Sequence, residues 1–407
     1  MTGRRRLHHI LNRKPLDRLS WTTLVDPVAM SILPDRERAM TTLEFYRRIG
    51  CDILQFGNHG LPKHLRVPAP SRAVGVESKL EVATDADGLR TERTTTEWGV
   101  LTRTTKRGHP IKYPVETLHD LRVCTEIWWH TRFEEVPGAM EEGFRRAEEA
   151  IGADGMFIPT INPSPVQQLI ELDMGQQGFY YLLHDHPREM EELLDVMHDR
   201  RKQEYEILAR RTPAEAIIPV ENTSSTLISP ALYERYSLPQ IRDYGDICRR
   251  HGKKMVLHMC GLLKNLLPII RRADPGGYNA VTPPTVGDTT FEHAMDLLGE
   301  DVVIFGGIFN GNVFQKPGAT RGEIHAELDR LYTPRLRRAH LCLWLGADGL
   351  PTELDRFLAV KDWMDRNGHV GSRASVGSTC STRRPRPPRP TVRRNAPSPL
   401  SIERRSP

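Results

Sequence analysis

Three times along the chain an amphipathic stretch ends at glycine and a short apolar run follows. "FYRRIG" precedes "CDILQFG", "DICRRHG" precedes "KKMVLHMCG", and "AMDLLG" precedes "EDVVIFGGI". Glycine after the last helical turn accepts the left-handed conformation that closes a helix, and a short apolar run without alternation fits a strand covered on both faces. Repeated helix-to-strand units predict a parallel α/β sheet. Further apolar runs at 19–24, 155–160, 216–220, 278–282 and 341–346 bring the candidate strands to eight, separated by helical segments such as 187–209 and 230–250. That number and alternation predict a (β/α)8 barrel (TIM barrel).

Two stretches break the rhythm. Residues 1–12 are basic and amphipathic and predict a short N-terminal helix. Residues 79–114 carry an Asp-Gly turn between Thr-rich, Val-containing stretches, the pattern of antiparallel β-hairpins, here read as an insertion over one end of the barrel.

The chain has 407 residues and 38% hydrophobic content, enough for one large core. Six cysteines, at 51, 124, 248, 260, 342 and 380, show no paired spacing, and no apolar run approaches the roughly 20 residues of a membrane span. A soluble, reduced, cytoplasmic enzyme is the expectation. The net charge of +5 is unevenly distributed: residues 369–407 hold nine arginines and one acid, Glu403, and so carry +8, which leaves −3 for 1–368. The Pro/Ser/Arg-rich segment 369–407 lacks the apolar side chains that would offset its ordering entropy and is expected to be a disordered tail beside a barrel domain at 1–368. It gives no basis for a nucleic-acid function.

In a barrel, reactive groups come from the C-terminal ends of the strands. His258 and Cys260 lie at such an end, and side chains at i and i+2 of a strand point the same way. Imidazole plus thiolate is a good pair of zinc ligands; a histidine and a small buried thiol closing a strand are also an ordinary structural pair. Glu221 and Asn222 in "AIIPVENTSS" follow another apolar run, where a carboxylate is costly unless it serves a ligand, a metal or a hydrogen-bond network. Gly306 and Gly307 in "VVIFGGIFNGN" would admit a close ligand, with Asn310 just beyond; the same glycines also suit a turn. Asp348 in "LCLWLGADGLP" is a candidate third metal ligand, an acid-base group, or a turn residue before Gly349.

With these residues in hand, the chain from about Thr2 to Asn367 resembles the uroporphyrinogen decarboxylase superfamily. The likeness rests on the opening "TGRRRLHHILNRKPLDRLSW", on "LISPALYERYSLPQIRDYGDICRRHGKKMVLHMCG", on "VIFGGI" and on "LGADGLPTELDRFLAVKDW". The resemblance implies a (β/α)8 barrel. True decarboxylases of the family carry an Arg-Gln-Ala-Gly-Arg stretch near the N-terminus to hold substrate carboxylates, whereas this chain has "LSWTTLVDPVAMSIL" there, without arginine. The other branch comprises methyltransferases acting with corrinoid proteins, in which His-x-Cys and a later Cys bind zinc. His258 and Cys260 match the first two positions, and "TEWGVLTRTT" resembles that branch's Trp-Gly stretch. Where the third cysteine would stand, this sequence has Ala347-Asp348.

The resemblance therefore implies a methyltransferase moving a methyl group between a small methylated substrate or thiol acceptor and a corrinoid. Zinc would be held by His258, Cys260 and Asp348, with Glu221 and Asp348 as catalytic groups and Asn222, Gly306, Gly307 and Asn310 lining the cofactor. No Asp-x-His-x-x-Gly signature occurs, so the corrinoid would arrive on a partner protein. A metal-free tetrapyrrole decarboxylase with a remodelled pocket and a non-catalytic ligand-binding barrel are the alternatives. Related barrels often pair, so a homodimer belongs among the expected partners.

Overall fold

The computed structural model describes residues 1–370 apart from 309–312 and 315. Asn310 and the basic tail from 371 onward therefore lie outside the described residues.

The described residues form fifteen strands: β1 Ser20–Leu24, β2 Ile53–Phe56, β3 Ser71–Val74, β4 Lys79–Thr84, β5 Leu89–Thr96, β6 Gly99–Lys106, β7 His109–Lys112, β8 Arg132–Glu135, β9 Gly155–Ile158, β10 Thr160–Ile161, β11 Ala216–Pro219, β12 Lys254–His258, β13 Gly277–Asn279, β14 Val303–Ile308 and β15 His340–Gly346. All eight runs expected as strands are strands. They pair in parallel as β1-β15-β14-β13-β12-β11-β10 and as β2-β9. β9 and β10 are one extended run broken at Pro159, whose missing N–H ends one ladder while its carbonyl accepts from Ile218 N–H (2.9 Å) and opens the next.

Regular ladders thus close seven of the eight seams between neighbouring strands. At the remaining seam, between β1 and β2, one backbone bond runs from Asp52 N–H to Trp21 C=O (2.9 Å). Side chains reinforce it. Asp52, 2% exposed, accepts from Arg6 Nε (2.9 Å), Arg6 Nη2 (2.7 Å) and Ser20 Oγ (2.6 Å). The parallel α/β sheet is as expected; the ladder itself does not run all the way round.

The sheet curls around its own core. Leu54, Met156, Ile158, Ala216, Ile218, Val256, Val303, Phe305, Cys342 and Trp344, from six different strands, form one buried cluster with Leu7, Ile10 and Leu11 of the Gly3–Leu11 helix. That helix therefore plugs the end of the sheet opposite the strand C-termini. A second, larger cluster fills the space between the strands' outer faces and the surrounding helices. The helical segments read at 187–209 and 230–250 appear as Pro187–Arg211 and as Pro230–Leu232, a π turn at Tyr233–Ser237 and Leu238–Arg250. The irregular stretch at 79–114 is a four-stranded antiparallel sheet, β4-β5-β6-β7.

Candidate functional site

The C-terminal rim gathers the chemistry at the ends of β11, β12 and β13. His258 ends β12 with its carbonyl accepting from both Glu221 N–H (3.0 Å) and Asn222 N–H (3.1 Å), which fastens the β11 end to it. Its ring tautomer follows from its neighbour. Asn279, fully buried, donates Nδ2–H to the Phe305 carbonyl (2.6 Å), so its amide is oriented and Oδ1 faces His258 Nδ1 (2.5 Å). An amide oxygen only accepts, hence Nδ1 carries the proton and Nε2 keeps its lone pair. Burial lowers the imidazole pKa, against the Asn279 bond and the Asp348 charge, which raise it, so the ring is neutral at neutral pH. Phe56 stands edge-on to both His258 and Trp344, at ring separations of 5.3 and 5.7 Å.

Cys260 is the exposed cysteine of this rim, whereas Cys51, Cys124, Cys248 and Cys342 are buried. Gly261 makes its position feasible, because any Cβ there would overlap Ser224 on the neighbouring loop. The thiol donates to Asn222 Oδ1 (3.3 Å), and Asn222 Nδ2 donates to Glu171 Oε2 (3.2 Å). Asn222 sits at φ +41, a left-handed conformation that asparagine tolerates better than other side-chain-bearing residues. Desolvation raises the Cys260 pKa, with the Glu171 and Asp348 carboxylates adding to it. Burial also raises the Glu171 carboxyl, partly offset by its bonds to Asn222 and Gln167.

Glu221 is 1% exposed and faces away from this chain of bonds. Its two oxygens accept from Ser164 N–H (2.7 Å) and Ser164 Oγ–H (2.8 Å). Burial pushes its pKa up to about 7, although Ser164 and the buried Arg201 pull it down.

The candidate residues divide. His258, Cys260, Asn222 and Glu221 come together at one rim. Asp348 is exposed in a turn that leaves the buried Ala347 and is closed by Leu350 N–H to Ala347 C=O (3.3 Å), and it acts on His258 and Cys260 through its charge. Gly306 and Gly307 have a packing reason: Cβ atoms there would overlap Trp344 and the Val281 carbonyl oxygen. Glu171, Asn279 and Ser164 were not picked out from the sequence. An asparagine inside the apolar run 278–282 is a legible signal, since asparagine is poor in strands. Glu171 is not legible, because it reaches the rim on a π turn, Leu169–Asp173.

The zinc set expected from the resemblance can be tested on these donors. His258 Nε2 and Cys260 Sγ fit a metal, and Asn279 orients the imidazole as an outer partner of a metal ligand would. Among the described residues, however, no group of three or more His, Cys, Asp or Glu side chains could hold a metal ion. The trio His258, Cys260 and Asp348 is thus not assembled as a ligand set.

Residues 169–333 match the family model "Uroporphyrinogen decarboxylase (URO-D)". Through this stretch the chain is similar to the uroporphyrinogen decarboxylase superfamily. The URO-D segment holds Glu171, Glu221, Asn222, His258 and Cys260, while Asp348 falls outside it. Among solved structures the chain is similar to a methyltransferase from Methanosarcina mazei, at 15% identity and a TM-score of 0.54, covering 90% of this chain and 99% of that one. At that identity the likeness establishes a shared fold. No curated protein matches the sequence. No helix among the described residues is long and apolar enough to cross a membrane.

Proposed function

We propose that the chain is a methyltransferase that moves a methyl group between a small methylated substrate or thiol acceptor and a corrinoid carried by a separate protein. The observation that carries the reading is the rim built on His258 and Cys260. A neutral imidazole with a free Nε2 and an exposed thiol stand two residues apart, at the C-terminal end of a strand inside the URO-D segment. The shared fold with a methyltransferase supports the same choice. The reading takes the curled sheet as a (β/α)8 barrel whose mouth receives both reactants.

In this reading the chain's own groups bind, orient and hold protons. Asn279 keeps Nε2 of His258 unprotonated and aimed at the reactants. Glu171, through Asn222, fixes the direction of the Cys260 thiol. Transfer of a methyl group away from oxygen or nitrogen leaves an anion that needs a proton, and Glu171, whose carboxyl is raised by burial and which reaches Cys260 through Asn222, is the group that would supply it. Glu221 locks the loop carrying Ser164 beneath the rim. Tetrapyrrole decarboxylation is the weaker reading, because the charges bearing on His258 and Cys260 are the carboxylates of Asp348 and Glu171, which repel a polycarboxylate. Zinc supplies no step here, since the described donors do not form its ligand set.

The test is methyl transfer from a methylated corrinoid protein to a small thiol, and the reverse demethylation, followed by the corrinoid spectrum. Loss of at least about a hundredfold in rate is expected for Cys260→Ser and His258→Ala. Full activity in both variants, or conversion of a porphyrinogen instead, overturns the reading. Metal analysis of the same samples decides zinc separately: one zinc per chain, lost in Cys260→Ser, is expected if His258 and Cys260 hold it.

A further inference from the structure

The inserted sheet has two edges, and they differ. The β7 edge is guarded: Pro110 has no N–H to offer, and the register of β6 with β7 shifts between Thr104 and Thr105. The β4 edge carries no proline and no bulge, and all six of its residues are exposed. Leu80 and Val82, side by side on one face of it, are 59% and 49% exposed.

The pairing with β5 fixes which backbone groups are free. The turn bond from Asp85 N–H to Leu89 C=O (3.1 Å) marks that pair as hydrogen-bonded, and bonded pairs alternate along an antiparallel ladder. Ala83 with Thr91, Glu81 with Arg93, and Lys79 with Thr95 are then the bonded pairs. Leu80, Val82 and Thr84 turn their N–H and C=O groups outward.

We propose that the β4 edge pairs antiparallel with the β4 edge of a second copy of this chain, about a two-fold axis at Val82. Four registers, with the axis at Leu80, Glu81, Val82 or Ala83, keep outward groups opposite outward groups, and the one at Ala83 sets Glu81 against Asp85, a like-charge clash. An axis at Leu80 pairs half of the strand with residues 76–78, which lie outside it. An axis at Glu81 sets Glu81 against its own copy, a like-charge clash. An axis at Val82 pairs the whole strand, with Leu80 opposite Thr84, Glu81 opposite Ala83, and Lys79 opposite the carboxylate of Asp85. Because β4 is the open edge of this sheet and β7 is guarded, the pairing closes on itself as a dimer and does not propagate into a filament. This inference stands apart from the proposed activity.

Sedimentation equilibrium of the full chain over a concentration series reads the outcome. The mass is expected to rise from 46.4 kDa toward twice that value. Val82→Pro removes an outward N–H while leaving the β5 ladder intact, and Val82→Lys sets like charges on the axis; both are expected to return the mass to the monomer at the same concentration. Circular dichroism checks that each variant is folded. Mild oxidation is expected to give a covalent dimer with Val82→Cys and none beyond the wild-type background with Leu80→Cys or Glu81→Cys. A wild-type monomer at every concentration overturns the proposal. So does a dimer indifferent to both Val82 variants, or cross-linking through position 80 or 81 in preference to 82.

Discussion

Cys260 and Glu221 are two titratable groups whose environments push them in ways that can be measured separately. The Cys260 thiol is raised by desolvation and then by Glu171 and Asp348. Glu171→Gln removes the nearer negative charge while keeping an amide to meet Asn222. A roughly two- to fivefold faster alkylation of Cys260 by iodoacetamide at pH 8 is expected, read by peptide mapping with buried Cys51, Cys124, Cys248 and Cys342 as internal controls. An unchanged or slower rate removes Glu171 from the thiol's surroundings. For Glu221 the sign follows from burial. Its pKa is raised to about 7 in the folded chain, so the protonated form is the one the fold favours. Its contribution is fully present below the unfolded carboxyl range and is lost as pH rises through about 7. The wild type should therefore lose stability relative to Glu221→Gln between about pH 4.5 and pH 7, by on the order of 2 kcal/mol, in urea unfolding at each pH. A constant difference across that range contradicts the raised pKa. At this scale His258, Cys260, Glu221 and Asn222 were legible because polar groups ending apolar runs stand out. Glu171 was not, because only the π turn brings it beside Asn222.

At the scale of elements, the paired glycines of β14 and the helix-closing glycines have different origins. Gly50, after the Thr42–Ile49 helix, adopts φ +73, the left-handed cap that "FYRRIG" implies. Gly306 and Gly307 read as ligand-approach residues in the sequence, yet β14 needs them to pass Trp344 and the Val281 carbonyl. Gly307→Ala is expected to destabilise the fold by about 1–3 kcal/mol through overpacking against that carbonyl. Thermal unfolding measures it, with no dependence on substrate expected; a variant of wild-type stability that loses only substrate affinity would restore the ligand role. The strand count was readable because each run is short, apolar and bounded by turn residues. The break at Pro159 was hidden, since one proline in a run does not say which neighbour loses its bond.

On the scale of the whole molecule, the seam between β1 and β2 is held chiefly by side chains. Asp52 gathers Arg6 from the N-terminal helix and Ser20 from β1, and Ser20 in turn meets Cys342 of β15 (3.4 Å). Arg6 is 5% exposed, so Asp52→Ala leaves a buried guanidinium with only the more distant Asp17 carboxylate (3.5 Å). A loss of about 3–5 kcal/mol is expected in denaturant unfolding, with faster amide exchange in β1 and β2 than elsewhere in the sheet. A loss below about 1 kcal/mol would show the seam to be held by packing alone. The sequence by itself determined the alternation of helices and strands, the parallel sheet, the inserted hairpins and the resemblance to the superfamily, because apolar period, glycine caps and motif order are local properties of the chain. Only the tertiary structure decided which polar residues meet. The curl of the sheet brings Glu171 to Asn222 and Cys260, sets Asn279 against His258, and leaves Asp348 in an exposed turn, and such meetings depend on three-dimensional distances that sequence spacing does not encode.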